Sequence, residues 1–129
     1  MQDANYKMMK TNKQLIGIDL FAGAGGLSLG AEMAGISMRY AVEADAYASA
    51  SYNRNFKNAT EFFEEIRKLS ADKLNTQPVF IIMGGPPCQG FSLSNTKTRD
   101  MSNPNNRMFE EFLRFVDKIA PTWFVFENV

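Results

Sequence analysis

The chain has 129 residues, with 14 basic side chains balanced by 14 acidic ones, no histidine and a single cysteine. That length predicts one domain with a real core, and the neutral balance lacks the electrostatic footprint of a self-sufficient nucleic-acid binder. A lone thiol excludes an internal disulfide and, without histidine, argues against a zinc site, so no metal is expected and a reduced, cytoplasmic setting fits.

Residues 1–14 read as a polar, mobile leader without a signal-peptide core, and no apolar run approaches a membrane span. "LIGIDLF" (15–21) predicts a buried strand that runs into a glycine cluster. "LSLGAEMAG" (27–35) predicts a helix stopped by Gly35. "MRYAVEAD" (38–45) predicts a second strand, after which Asp45 caps a helix over "AYASASYNRNF". "TEFFEEIRKL" (60–69) fits either a weak strand or a helical turn, whereas "VFIIM" (79–83) is the clearest buried strand. From Ser92 to Asn106 the sequence is polar and aperiodic, the pattern of a functional loop. "RMFEEFLRFVDKIA" (107–120) places Phe109, Phe112, Leu113, Val116 and Ile119 on one helical face, ended by Pro121, with Phe115 at its flank. "WFVFENV" (123–129) reads as a last buried strand with Trp123 in the core.

Strand and helix alternate, which predicts an α/β fold: a parallel sheet with helices on both faces. In such sheets ligands bind beyond the carboxyl ends of the strands, and every unusual stretch here falls at such an end. In "DLFAGAGGLSLG" (19–30), Gly23, Gly25 and Gly26 permit a tight turn and close approach to a ligand. Glu43 follows Gly23 by twenty residues, where an acid accepts both hydroxyls of a ribose. The plainer reading is that the glycines only make a strand-to-helix turn. A dinucleotide fingerprint wants glycine or alanine where Ser28 stands, and Asp19 beside the loop suits an amine-bearing ligand better than a pyrophosphate. S-adenosylmethionine, with a ribose and an amino group but no phosphate, matches this pattern better than NAD.

Three stretches then stand in order: "DLFAGAGGLSLG", "GGPPCQGFS" (84–92) and "ENV" (127–129). Together they resemble the cytosine-5 DNA methyltransferase family over residues 15–129. "VEAD" (42–45) is similar to its second motif. "EEIRKL" is similar to the third, with Glu65 where the family usually has aspartate, and "NPNNRMF" (103–109) is similar to the fifth, departing at Asn103 and Asn105. The resemblance implies a Rossmann-like S-adenosylmethionine-dependent methyltransferase fold, incomplete at the C-terminus, with residues 15–129 forming the N-terminal part of the catalytic domain. It also implies restriction–modification chemistry on double-stranded DNA with a flipped cytosine.

By resemblance, Cys88 is the nucleophile and Glu127 the catalytic acid. The implied cofactor residues are Asp19, Phe21, Ala22, Gly23, Gly25, Gly26 and Leu27 in the first stretch, then Glu43, Ala44, Glu65 and Ile66, and finally Gly85, Pro87 and Met108. Gln89, Ser92 and Asn128 are implied to touch the substrate. The chemistry is coherent, because carbon 5 of cytosine is a poor nucleophile until a thiolate adds to carbon 6. The family's target-recognition domain and last sheet strands lie outside this sequence, so a C-terminal partner subunit or continuation is expected. A non-catalytic S-adenosylmethionine-binding remnant, a tRNA cytosine-5 methyltransferase and an NAD oxidoreductase remain as alternatives.

Overall fold

Among the described residues, short runs rich in β-branched or aromatic side chains generate five strands that all point the same way, and each of the first four is followed in the chain by a helix or helical segment. The computed structural model describes residues 13–74, 78–87 and 107–128. In chain order the elements are β1 (Ile16–Leu20), α1 (Gly26–Met33), β2 (Ser37–Glu43), α2 (Ala46–Asn55) and β3 (Thr60–Phe63). A 3₁₀ turn (Ala71–Leu74), β4 (Ile81–Gly84), α3 (Met108–Ile119) and β5 (Trp123–Phe126) follow. The sheet order is β3-β2-β1-β4-β5, and every pairing is parallel. The ambiguous 60–69 stretch therefore divides into a strand and a turn.

Local chemistry sets the element ends. Asp45 accepts hydrogen bonds from the backbone N–H groups of Tyr47 and Ala48, at 3.0 and 2.8 Å, and so caps α2. Past the end of α1, Gly35 adopts a left-handed φ of 84°, a conformation that glycine takes without steric cost. Among the described residues, no helix is long and apolar enough to cross a membrane.

Helices cover both faces of the sheet. On one, α3 and the 3₁₀ turn pack Phe112, Phe115 and Leu74 against Ile18, Leu20, Val42 and Ile82. On the other, Tyr52 of α2 and Phe56, just past its C-terminal end, pack against Ala22 and Ala41, and Ala31 of α1 packs against Met38 and Met83. The β1–β2 ladder pairs Gly17 with Met38 and then Ile18 with Tyr40, skipping Arg39. This irregularity shifts the alternation of β2, so Met38 joins the α1 side while Tyr40 and Val42 reach the α3 side.

Two expectations about the core are corrected. On α3 the fully buried residues are Phe112 and Phe115, while Leu113 is exposed. A one-residue step turns a helix by about 100°, which carries Leu113 off the stripe formed by Met108, Phe112 and Phe115. β5 is not a buried strand: all four of its residues are exposed, and Trp123 retains 62% of its accessible surface. Among the described residues the strand pairs only with β4, and α3 reaches one of its faces through edge-on contacts of Phe112 with Phe124 and Phe126.

Candidate cofactor and catalytic site

Beyond β1 the chain turns toward β2 and β3, and beyond β4 it turns toward β5, so the strand order reverses between β1 and β4. A parallel sheet opens a crevice at such a point. The glycine loop leaves β1 there and "GGPP" leaves β4 beside it, with Leu20 registered against Gly84. A β-carbon at Gly84 would collide with the carbonyl oxygen of Leu20, so this close approach of the two strand ends requires glycine.

Three left-handed residues shape the first loop: Phe21 (φ 60°), Gly23 (φ 56°) and Gly25 (φ 100°). The Ala22 N–H donates to the Val42 carbonyl at 3.0 Å, pinning the loop to β2. Phe56 packs so closely under Gly25 that a side chain there would enter its ring. Glu43 ties the loop from the other side. Its Oε2 accepts the Gly23 N–H at 2.7 Å, and its Oε1 accepts those of Ala44 and Asp45 at 2.9 and 2.8 Å.

Behind the loop lies a buried polar network. Ser28 donates to Asp19 Oδ2 at 2.6 Å, and its hydroxyl lies 2.9 Å from that of Tyr52. Asp19, Ser28 and Tyr52 have no accessible surface, and Asp19 Oδ1 has no hydrogen-bond partner among the described residues. Burial raises the Asp19 carboxyl to about 6, an effect that the Ser28 bond only partly offsets. The Tyr52 phenol is likewise pushed up to about 12, chiefly by burial.

In front of the loop a cavity of about 370 Å³ is lined by Phe21, Val42, Glu43, Ala44, Glu64, Glu65, Ile66, Arg67, Gly85, Pro87 and Met108. It thus gathers Phe21, Glu43, Ala44, Glu65, Ile66, Gly85, Pro87 and Met108, eight residues singled out by sequence. Val42, Glu64 and Arg67 line it as well and were not anticipated. Arg67 and Lys68 pair with Glu65, and Arg67 holds its carboxyl below the usual carboxylate range. Gly25 and Gly26 instead open onto a second groove, toward Leu29 and Phe56. Asp19 is enclosed and does not line the cavity; Ala22 is buried, and Leu27 packs on the α1 side.

At the end of β5, the Glu127 N–H donates to the Gly84 carbonyl at 2.9 Å. The Glu127 side chain lies over Gly85, where an added β-carbon would fall 2.5 Å from Oε2. Glu127 and Asn128 are both exposed. Cys88, Gln89 and Ser92 lie outside the described residues.

The Asp19–Ser28–Tyr52 network was missed because its members come from three elements. Tyr52 was one of several polar residues in α2, and no local signal sets it apart. Arg67 had a weak signal, as a lone guanidinium in "EEIRKL" beside the acids of the third motif.

A sequence profile described as C-5 cytosine-specific DNA methylase matches residues 15–129. The chain is 46% identical to Type II methyltransferase M.DdeI of Desulfomicrobium norvegicum over 87% of its own length and 27% of that relative. It is 40% identical to Type II methyltransferase M1.HphI of Haemophilus parahaemolyticus, over 87% of this chain and 32% of the relative. Among solved structures, a prophage-encoded protein from E. coli described as a DNA modification methyltransferase superposes with a TM-score of 0.77 at 38% identity. That match covers 90% of this chain and 32% of the other. The chain therefore spans about a third or less of these relatives.

Proposed function

Because the chain belongs to the C-5 cytosine-specific DNA methylase family, we propose that it forms the cofactor-holding and nucleophile-bearing part of an enzyme that methylates carbon 5 of cytosine in DNA. The observation that carries this reading is the packing of Glu127 over Gly85. It brings the acid at the end of β5 to the backbone that leads, three residues later, into Cys88.

The cavity suits S-adenosylmethionine. Its volume lies in the range of small-ligand sites, and its lining combines apolar Phe21, Val42, Ile66 and Met108 with three carboxylates. Its one guanidinium, Arg67, is engaged by Glu65. Such a lining favours hydroxyl and amine groups over phosphate, which argues against a dinucleotide. Glu43 would hold the ribose hydroxyls, and Phe21, Ile66 and Met108 would flank the base. When bound, the cofactor supplies an electrophilic methyl group.

Cys88 acts on the flipped cytosine. Its thiolate forms a bond to carbon 6, while Glu127 shares a proton with ring nitrogen 3 and stabilises the charge that develops there. Carbon 5 becomes enamine-like and would take the methyl group as the sulfonium's S–CH3 bond breaks, leaving S-adenosylhomocysteine as a neutral thioether. Loss of the carbon-5 proton then returns electrons to the ring and expels Cys88 as thiolate.

The exposed residues of β5 support a further reading, that a C-terminal portion, in the same polypeptide or as a partner subunit, completes the enzyme. Strands of parallel sheets are normally covered on both faces, and Trp123 and Val125 are left uncovered. Mixing the chain with a C-terminal portion from a relative, DNA and labelled S-adenosylmethionine tests the proposal. Transfer to cytosine carbon 5 is expected, and Cys88→Ser should abolish it. Transfer by the serine variant would overturn the mechanism.

A further inference from the structure

Arg114 projects from the middle of α3 and reaches the turn that follows β3. Its Nη2 donates to the carbonyls of Ile66 and Leu69, at 2.8 and 3.1 Å, across 48 and 45 residues of sequence. Glu111, one turn earlier on the helix, accepts from its Nε at 2.8 Å, and the guanidinium lies 4.6 Å from the ring centroid of Phe115. The head group and its counter-charge are therefore both specified, which is unusual for an arginine whose side chain keeps 39% of its surface.

The side chains of Ile66 and Leu69 anchor the turn that Arg114 grips in the core, but its backbone has few long-range hydrogen bonds among the described residues. It lies beyond the β2–β3 ladder, and its own backbone bonds are Glu64 to the Glu43 carbonyl and two short-range contacts, Lys68 to Glu65 and Leu69 to Ile66. Yet residues 64–67 form one side of the cavity. The guanidinium bonds both turn carbonyls through one Nη and the carboxylate through Nε, donors held apart in a rigid planar fork, whereas a lysine ammonium would have to aim all three bonds from a single nitrogen.

We propose that Arg114 is a positioning residue for the cofactor site, locking the 64–67 wall to α3. Because Met108 begins the same helix and lines the cavity, the lock sets the distance between two of its walls. The assignment rests on the reading of this cavity as the S-adenosylmethionine site. Arg114 touches no ligand itself; it acts through the backbone that Ile66 and Glu65 share.

Calorimetric titration of S-adenosylhomocysteine tests this, using the chain with the C-terminal portion supplied. Arg114→Met keeps the stem and removes the fork, and should weaken binding about tenfold, the scale of lost charge-assisted hydrogen bonds. Arg114→Lys should recover only part of that loss. Lys118→Ala serves as the control, since Lys118 pairs with Asp72 at 3.2 Å from the same helix but does not touch the wall; it should bind like wild type. Hydrogen exchange should quicken at amides 64–69 in Arg114→Met and stay unchanged in β1 and α1. Wild-type binding with equal binding by a folded Arg114→Met would overturn this inference alone, as would an equal loss in Lys118→Ala. If wild type binds no cofactor, the cavity reading itself fails, and the role given to Arg114 fails with it.

Discussion

Ser28 donates to Asp19 at 2.6 Å where neither residue has accessible surface, so the acid before the glycine loop faces the protein interior rather than the cavity. Its charge is costly there. Burial raises the carboxyl from 3.8 to about 6, and the nearby Glu43 charge adds to the rise. Between those values the folded chain keeps a proton that the unfolded chain has lost. Stability from this group therefore falls as pH rises through that window, and the penalty stays constant above it. The displacement corresponds to roughly 3 kcal/mol. Urea denaturation of wild type and Asp19→Asn should show the difference moving in favour of the variant by about that much between pH 4 and pH 7. A difference independent of pH would contradict the assignment.

Glycine is required at position 25 and dispensable at position 26. Gly25 combines a φ of 100° with the Phe56 ring beneath it, whereas a β-carbon at Gly26 would meet nothing within 4 Å. Gly25→Ala should cost more than about 1 kcal/mol in thermal or chemical denaturation, while Gly26→Ala, inside α1, should be neutral or stabilising by a few tenths.

Glu43 accepts three backbone N–H groups through two oxygens. A glutamine offers one acceptor oxygen and turns its amide nitrogen toward an N–H donor. Glu43→Gln is expected to lose about 1–3 kcal/mol of stability, measured by denaturation. It should also weaken S-adenosylhomocysteine binding at least about tenfold by calorimetry, if Glu43 also holds the ribose.

Phe112 has no accessible surface and meets both Phe124 and Phe126 edge-on. Phe112→Ala should destabilise the chain by roughly 3–5 kcal/mol. Trp123→Ser on exposed β5 should leave the melting temperature nearly unchanged, while reducing association with the C-terminal portion in a pull-down of the two purified pieces.

Local sequence made much of this architecture legible. Alternation of β-branched runs with helical segments indicated a parallel sheet, and Asp45 was recognisable as a cap because its bonds reach only two and three residues ahead. Seven of the eight cavity residues were readable because their motifs fall at or directly after strand ends, where the chain has no choice but to emerge at one edge of the sheet; Met108, at the start of α3, was readable only from the fifth motif. Leu113 and Trp123 were misplaced for the opposite reason. Hydrophobicity marks a residue as able to be buried, but does not say whether another layer stands over it.

By itself, then, the sequence determined the order of strands and helices, the glycine turn, and which acids follow which strands, since these depend on neighbours within a few residues. Tertiary structure alone decided that Asp19 turns inward to Ser28 and Tyr52, and that Arg114 reaches Ile66 across 48 residues. It also decided that β5 remains uncovered. Each of these depends on where parallel crossovers bring distant elements together, a property of the packed layers that local periodicity does not carry.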